Sequence, residues 1–419
     1  MSLEIVIHRG AAQVGGSCVE LRSFQSRLLL DYGLPLEIET KKDPNRAEPS
    51  DVKSTHLLPI QGVHEKETPL FDGILLSHAH PDHHGLLGYV HPEIPVYANQ
   101  ETQELLSIGQ YFRPAAPPVR NLRTIAAGEP FTVGAFRVTP HLMDHSAYGA
   151  LAFLVEAGEK RVFYSGDFRG HGRKREVFDQ LLADPPAPVD ALVMEGTVLG
   201  RAETGLPSEK AVQNELERIL RSRSDLTFIA FSSQNTDRLE SVFYACLRTG
   251  KTLVIDPYTA FILDRLGGKL PQYYDKGINI FFGSSSHTSR MAKRDDLWRF
   301  KPAKISFQDI LEKRCEMVIK NNFAVRKKFA STGELGGAAL VYSQWWGYYD
   351  SEREFWAAHG IEPIHVHTSG HAFVADLQAL VRALQPRRII PIHTQRPEAY
   401  AALFGPEVQC LPDGQILEI

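Results

Sequence analysis

The chain has 419 residues, 43% of them hydrophobic and 23% charged, with a formal net charge of -4; this is the composition of a globular protein of two or three domains and excludes a single compact peptide. Bulk charge announces no polyanion partner. Local charge is different, because residues 291–328 hold eleven Lys or Arg against five acids, so that segment carries +6 and leaves -10 elsewhere, a basic patch able to attract phosphates along one face.

Short strands are expected at 4–8, 18–22 and 27–31, separated by the glycine-bearing turn 10–16 and by residues 23–26, as in the opening of a β-meander. The third ends in Asp31, and residues 34–69 are polar, proline-bearing and aperiodic, an excursion with His56 and His64 at the surface rather than in a site. The buried strand 73–76 then stops in Ser77-His78-Ala79-His80-Pro81-Asp82-His83-His84-Gly85, four imidazoles and a carboxylate within seven residues. Neutral imidazole and carboxylate are donors that borderline divalent ions such as zinc accept. A loop leaving a strand end can aim His78 and His80 at one ion and Asp82 and His83 at a second. The spacing suits two metals.

Further on, a helix is expected over 85–90, a strand over 95–98, a helix from Asn99 or Glu101 to 110, and two strands around Gly134 leading to His141 and His145. After a strand at 150–156, the apolar strand 161–168 ends in Ser165-Gly166-Asp167, where one carboxylate has an oxygen for each of two ions. The strand 191–197 ends in Glu195. From 207 the chain reads as a separate α/β unit: helix 209–222, strand 226–231, polar turn Ser232-Ser233-Gln234-Asn235, helix 236–248, strand 252–255, and later a strand at 336–343 and a helix at 351–359. Strand, polar turn and helix in repetition is a doubly wound pattern with its turns available for ligands. A strand at 362–366, the loop His367-Thr368-Ser369-Gly370-His371-Ala372, a helix at 373–384 burying Leu377, Leu380, Val381 and Leu384, and a strand at 387–393 delivering His393 complete the chain.

The four cysteines (Cys18, Cys246, Cys315, Cys410) form no C-x-x-C pair, so neither a thiolate zinc site nor a disulfide framework is indicated. No basic leader and no run of 18 apolar residues occurs. A cytoplasmic protein with no membrane segment is expected.

The ordered set H-x-H-x-D-H at 78–83, D-H-S at 144–146, S-G-D at 165–167, M-E-G-T at 194–197, H-T-S-G-H-A at 367–372 and I-P-I-H at 390–393 resembles the β-CASP nucleases of the metallo-β-lactamase superfamily, among them the RNase J enzymes. The resemblance covers nearly the whole chain. It implies an α/β fold, a metallo-β-lactamase αββα sandwich with an inserted α/β β-CASP domain: core residues 1–198 and 360–419, insert 199–359. It also implies two zinc ions per chain, or manganese in their place, one held by His78, His80, His145 and Asp167 and the other by Asp82, His83, Asp167 and His393, with a bridging hydroxide as nucleophile. Asp31 would support the metal loop rather than bind metal. Asp82, His371 and Glu195 would be the catalytic residues, His371 giving a proton to the leaving 3'-oxygen while Glu195 orients it and raises its pKa.

A histidine at position 393 favours RNA, since the DNA-repair branch of the family often has an aliphatic residue there. The activity implied is a zinc-dependent endo- or 5'-exoribonuclease acting on single-stranded RNA. Ser232, Ser233 and Asn235, with Ser369 and Gly370, would meet the phosphate backbone, and the aromatics of 342–349 offer faces for bases. The alternatives are a hydrolase of a small ester or nucleotide on the same fold, a DNA nuclease, or an inactive RNA-binding scaffold. Thr394-Gln395-Arg396 replaces the glycine and acid common after the last histidine, so substrate fit is expected to differ. The chain ends 26 residues after His393, leaving no room for the C-terminal domain of many RNase J enzymes and leaving oligomeric state open.

Overall fold

A computed structural model describes residues 2–36, 57–114, 116–201 and 205–419. The chain forms two compact units, Met1–Glu203 with Gly370–Ile419, and Thr204–Ser369.

The first unit is built on two sheets. One runs, in spatial order, Ile416–Glu418, Glu4–Arg9, Cys18–Ser23, Ser26–Leu30, Gly73–Leu75, Val96–Ala98, Leu122–Thr124; the other runs Ile389–Ile392, Ala191–Glu195, Lys160–Tyr164, Leu151–Ala157, Phe136–Leu142, Phe131–Val133. Side chains alternate across a strand, so a strand apolar at every position must be buried on both faces. Leu28 and Leu30 join an inner cluster that also holds Val162, Tyr164, Val193, Ile390 and Ile392 from the second sheet. Leu29 and Ile74 face outward into a separate cluster with Leu86, Leu87 and Ile94. On the other side Phe163, Leu192, Met194 and Ile389 meet Leu377, Leu380 and Leu384 of the helix Val374–Leu384. With Leu106 of the helix Gln100–Phe112 packed on the outer cluster of the first sheet, the result is helix, sheet, sheet, helix.

Ser26–Leu30 and Gly73–Leu75 are parallel neighbours, as are Lys160–Tyr164, Ala191–Glu195 and Ile389–Ile392. Their carboxyl ends deliver Asp31, His78, Asp167, Glu195 and His393, which is why residues distant in sequence arrive at one edge.

Three expectations change. No helix fills 85–90; a single 3-10 turn, Leu87–Tyr89, is present, and the helix lies earlier at Pro81–His84, inside the histidine motif. Pro81 at its first position presets φ. Asp82 and His83 therefore sit on a helical turn rather than in an extended loop. His64, expected at the surface, is half-buried against the Tyr32 hydroxyl at 2.8 Å; His56 lies outside the described residues. The strand assigned to the returning core, Pro363–His365, instead pairs in parallel with Ala339–Tyr342 in the second unit's sheet. An edge strand's pattern does not say which sheet it will join.

The second unit has one sheet, all parallel, in the order Lys304–Ile305, Ile278–Phe281, Thr252–Ile255, Met317–Lys320, Thr227–Ala230, Ala339–Tyr342, Pro363–His365. The order reverses as a doubly wound sheet requires. One face is closed by Ile310, Val325, Phe329 and Trp356. Trp356 is fully buried between Phe228 and Phe355, and its Nε1 donates to Glu352 Oε2 at 3.0 Å. Replacing Trp356 by alanine is expected to destabilise the unit by about 3–5 kcal/mol, read as a lowered urea midpoint of the full chain; a midpoint that stays put would contradict this account of the core.

Candidate metal centre

Two groups of nitrogen and oxygen donors meet in the first unit, His78 with His80 and His145, and Asp82 with His83 and His393, and further overlapping groups join His78 to His83 and Asp167, and Asp167 to Glu195, His371 and His393. Asp167 lies between them, with Oδ2 at 3.2 Å from His83 Nε2 and 3.8 Å from His78 Nε2, and Oδ1 at 3.8 Å from His393 Nδ1. All seven residues named as ligands from the sequence are thus brought together. His84, the fourth imidazole of the motif, and His141, which packs on Phe163, are in neither group.

Tautomers follow from the surrounding hydrogen bonds. Asp31 accepts from Ser77 N, Ser77 Oγ, Tyr164 Oη and His83 Nδ1, each at 2.7 Å. Ser77 spends its one hydroxyl hydrogen on Asp31, so its contact with His78 Nδ1 at 3.0 Å has the ring as donor. Thr197 Oγ1 donates to His393 O at 3.3 Å and so accepts from His393 Nδ1 at 2.8 Å. His78, His83 and His393 are each held with Nε2 bare.

His393 Nε2 so held faces carboxylate lone pairs, and the ring nitrogens of the first group crowd together. His80 Nδ1 is 3.1 Å from His78 Nε2 and 3.3 Å from His145 Nε2, and His393 Nε2 is 3.1 Å from Asp82 Oδ2. His83 Nε2 and both Asp167 oxygens are buried without a hydrogen bond among the described residues. Buried polar atoms left so are costly, and a bound cation would satisfy the arrangement. The donor set fits metal.

Electrostatics agree for the first group, whereas at His83 burial would lower the pKa but Asp167 and Asp31 raise it well above the ordinary value. Burial pushes His78 and His145 well below the ordinary imidazole value and His80 down to about 4, keeping all three neutral, the state that ligates. Burial would raise Asp82 and Asp167, but the imidazoles around them hold both below the usual carboxylate range.

Packing explains the register. A Cβ on Gly33 would stand 1.7 Å from Asp82 O, so only glycine lets the chain pass under the metal helix. His393 adopts a φ of +52°, held by its N–H on Gly10 O at 2.8 Å. Asp31 also has positive φ, +59°, a conformation asparagine tolerates, so Asp31→Asn removes the charge and keeps the backbone. Metal affinity is expected to fall about 10–100-fold, measured by competition with a chromogenic chelator; unchanged affinity would leave Asp31 a purely structural group.

At the edge of this cluster His371 Nδ1 lies 3.3 Å from Glu195 Oε1, 3.2 Å from Glu195 Oε2 and 3.5 Å from Asp167 Oδ2, its side chain 24% exposed. Burial alone would lower its pKa; Glu195 and Asp167 reverse this and raise it above the ordinary value. Gly370 beside it packs on Ser146, whose Oγ would be 2.8 Å from an added Cβ.

In the second unit the expected phosphate-binding residues divide. Ser233 is buried, its hydroxyl paired with Thr259 Oγ1 at 2.8 Å, and Asn235 caps its helix by accepting from Arg238 N at 3.0 Å, while Ser232 is exposed. Tyr342 and Tyr349 are core residues, whereas Trp345 and Trp346 are 47% and 38% exposed. Thr197 and Ser77 are the hydroxyls that fix the ligands His393 and His78, and Tyr164 fixes Asp31; none was singled out from the sequence, where their signal was adjacency to the strand-end acids and histidines.

Residues 45–224 match the beta-lactamase superfamily domain, and residues 361–404 the Zn-dependent metallo-hydrolase RNA specificity domain. The sandwich and its strand-end donor cluster agree with these matches to the metallo-β-lactamase fold. Together the matches and the relatives support the β-CASP, RNase J-like family of the metallo-β-lactamase superfamily. It is similar to the transcription termination factor FttA of Methanothermobacter thermautotrophicus (26% identical, 60% of this chain), ribonuclease J of Mycobacterium tuberculosis (21%, 77%) and ribonuclease TTHA0252 of Thermus thermophilus (27%, 67%). The matches span 41%, 58% and 62% of those proteins' own lengths. A crystal structure of a protein of unknown function from Enterococcus faecalis V583 superposes with a TM-score of 0.80 over 100% of both chains at 20% identity, a likeness of fold.

Proposed function

We propose that this protein is a two-metal ribonuclease that hydrolyses phosphodiester bonds of single-stranded RNA. The observation that carries the reading is Asp167, buried between two sets of bare donors, with the His371–Glu195 pair at its side. Zinc or manganese ions held by His78, His80, His145, Asp82, His83, His393 and the shared Asp167 would supply Lewis-acid polarisation of the phosphate and acidification of a water.

The chain's own chemistry lies on the leaving-group side. Nδ1 of His371 donates to Glu195, and the ring's other nitrogen, Nε2, is the one assigned to substrate. As the bond from phosphorus to the 3'-oxygen breaks, its electron pair stays on oxygen and His371 supplies the proton. With Asp167 engaged as a ligand, Glu195 is the carboxylate that keeps His371 protonated.

Support for RNA comes from the match to an RNA specificity domain over the stretch holding His371 and His393, and from the names of two ribonuclease relatives. Exposed Lys327 and Lys328, beside Phe323 and Phe307, and exposed Ser232, Trp345 and Trp346 in the second unit are suited to phosphates and bases. Among the described residues no helix is long and apolar enough to cross a membrane.

The test is a gel of end-labelled RNA carrying 5'-monophosphate or 5'-triphosphate, with and without chelator, for the parent and Asp82→Asn proteins. Cleavage by the parent, lost with chelator and reduced about 10²-fold or more in the variant, is expected. Metal-loaded protein that cuts small phosphodiesters but no RNA would replace this reading with a small-diester hydrolase.

A further inference from the structure

The loop that follows Asp167 does more than leave the site. Phe168 N donates to Glu195 Oε1 at 3.0 Å, and two residues later the chain turns onto Asp376, near the start of the helix Val374–Leu384. Asp376 Oδ2 gathers three donors: Phe373 N at 3.2 Å, Gly170 N at 3.1 Å and His171 Nδ1 at 3.2 Å. The first is the carboxylate half of a capping box within the helix's first turn, the N-cap Phe373 having no side-chain acceptor to complete it. The other two come from more than two hundred residues away in sequence, and a helix cap has no need of them. The His171 ring also lies flat on the Phe373 ring, centroids 4.0 Å apart and planes within 9°. The approach is close enough that a Cβ on Gly170 would stand 2.5 Å from Asp376 Oδ1.

Phe373 is two residues past His371, and Ala372 N reaches Glu195 Oε1 at 3.5 Å. The segment 371–373 is therefore held from two sides, by Glu195 and by the Asp376–His171 clamp, and both holds run through the loop that starts at Asp167. We propose that Asp376 and His171 are positioning residues for the general acid: they fix the His371 loop relative to the Asp167 loop, so that the proton donor and the metal-holding carboxylate keep a set distance. This rests on the proposed role of His371. Metal retention does not depend on the clamp, because neither residue is among the grouped donors.

A leaving group that needs no proton separates this role from general support of the fold. Nitrophenolate departs from bis(p-nitrophenyl) phosphate as the anion, with the electron pair of the broken P–O bond and without a proton from His371. Asp376→Ala and His171→Phe, the second keeping a flat ring on Phe373 while losing the hydrogen bond, are compared with the parent on an RNA oligonucleotide and on the nitrophenyl diester, with metal content measured on each protein. The expected result is kcat on RNA lower by about 10²-fold, a nitrophenyl rate within a few-fold of the parent, and unchanged metal. Asp376→Asn, which can still accept from Gly170 N, is expected to recover part of the RNA rate. Equal losses on both substrates, loss of metal, or no loss on RNA would each overturn the clamp. His371→Ala is the control for the underlying reading: if it falls equally on both substrates, the general-acid assignment fails, whereas a selective fall in His371→Ala without one in Asp376→Ala and His171→Phe sinks the clamp alone.

Discussion

Asp167→Asn is expected to lower the rate of RNA cleavage roughly 10³–10⁴-fold, equivalent to about 4–5 kcal/mol of barrier, and to lower bound metal on both sides of the centre at once. Both carboxylate oxygens of Asp167 are buried and lack hydrogen bonds among the described residues, and they stand 3.2 to 3.8 Å from imidazole nitrogens of both donor groups. An amide keeps the shape and removes the charge. It also turns one of the two acceptors into an N–H donor, aimed at a place where a cation would sit. His80 belongs to a single group of donors, so His80→Ala should weaken that group and spare the Asp82–His83–His393 group, while Asp167→Asn weakens both. Metal content by mass spectrometry, alongside kcat, reads this directly. A variant that keeps two equivalents of metal and a near-parental rate would remove Asp167 from the centre of the mechanism.

Much of this centre was legible from position alone, because the chain carries the site on strand ends. Strand 73–76, strand 161–168 and strand 387–393 were each visible as apolar runs that stop at a polar, chemistry-bearing residue. In the structure those runs are Gly73–Leu75, Lys160–Tyr164 and Ile389–Ile392, buried on both faces in the sandwich. An apolar strand needs no partner to be recognised, since its own pattern reports the burial. Helices with a single apolar face, such as Glu209–Ser222 and Thr236–Arg248, were equally plain for the same reason.

What was not legible depends on neighbours distant in sequence. Pro81–His84 is one turn long, too short for periodicity to announce, and is held by Leu34 N on Pro81 O and by Tyr32 N on His83 O, contacts made across 47 and 51 residues. The edge strand Pro363–His365 follows a helix in either arrangement, so only its pairing decides its sheet. The stretch 256–335 carries short helices and strands whose apolar residues, among them Ile310, Val325 and Phe329, become a face only when the sheet assembles them. Ser233 and Asn235 read as ligand-facing polar residues from sequence, yet one is spent inside on Thr259 and the other on capping its own helix. Polar residues after a strand serve the fold or the ligand, and composition does not separate the two.

The His371–Glu195 pair gives the second large effect. His371→Ala is expected to reduce kcat on RNA roughly 10²–10⁴-fold, the usual contribution of a placed general acid, while bound metal changes little. The pH dependence has a definite sign. Burial pulls the His371 pKa down, and Glu195 and Asp167 together lift it above the ordinary imidazole value; a general acid must be protonated, so kcat holds below that pKa and falls as pH rises through it. Glu195→Gln removes the nearest negative charge, 3.2 Å from Nδ1, and must move the alkaline limb to lower pH, with a smaller loss at acid pH than at neutral pH. In the His371→Ala background the same substitution should cost little more, since it acts through a ring that is no longer there. A profile for Glu195→Gln that drops uniformly at every pH would mean that Glu195 supports the loop through Phe168 N and Thr197 N and has no hold on the proton.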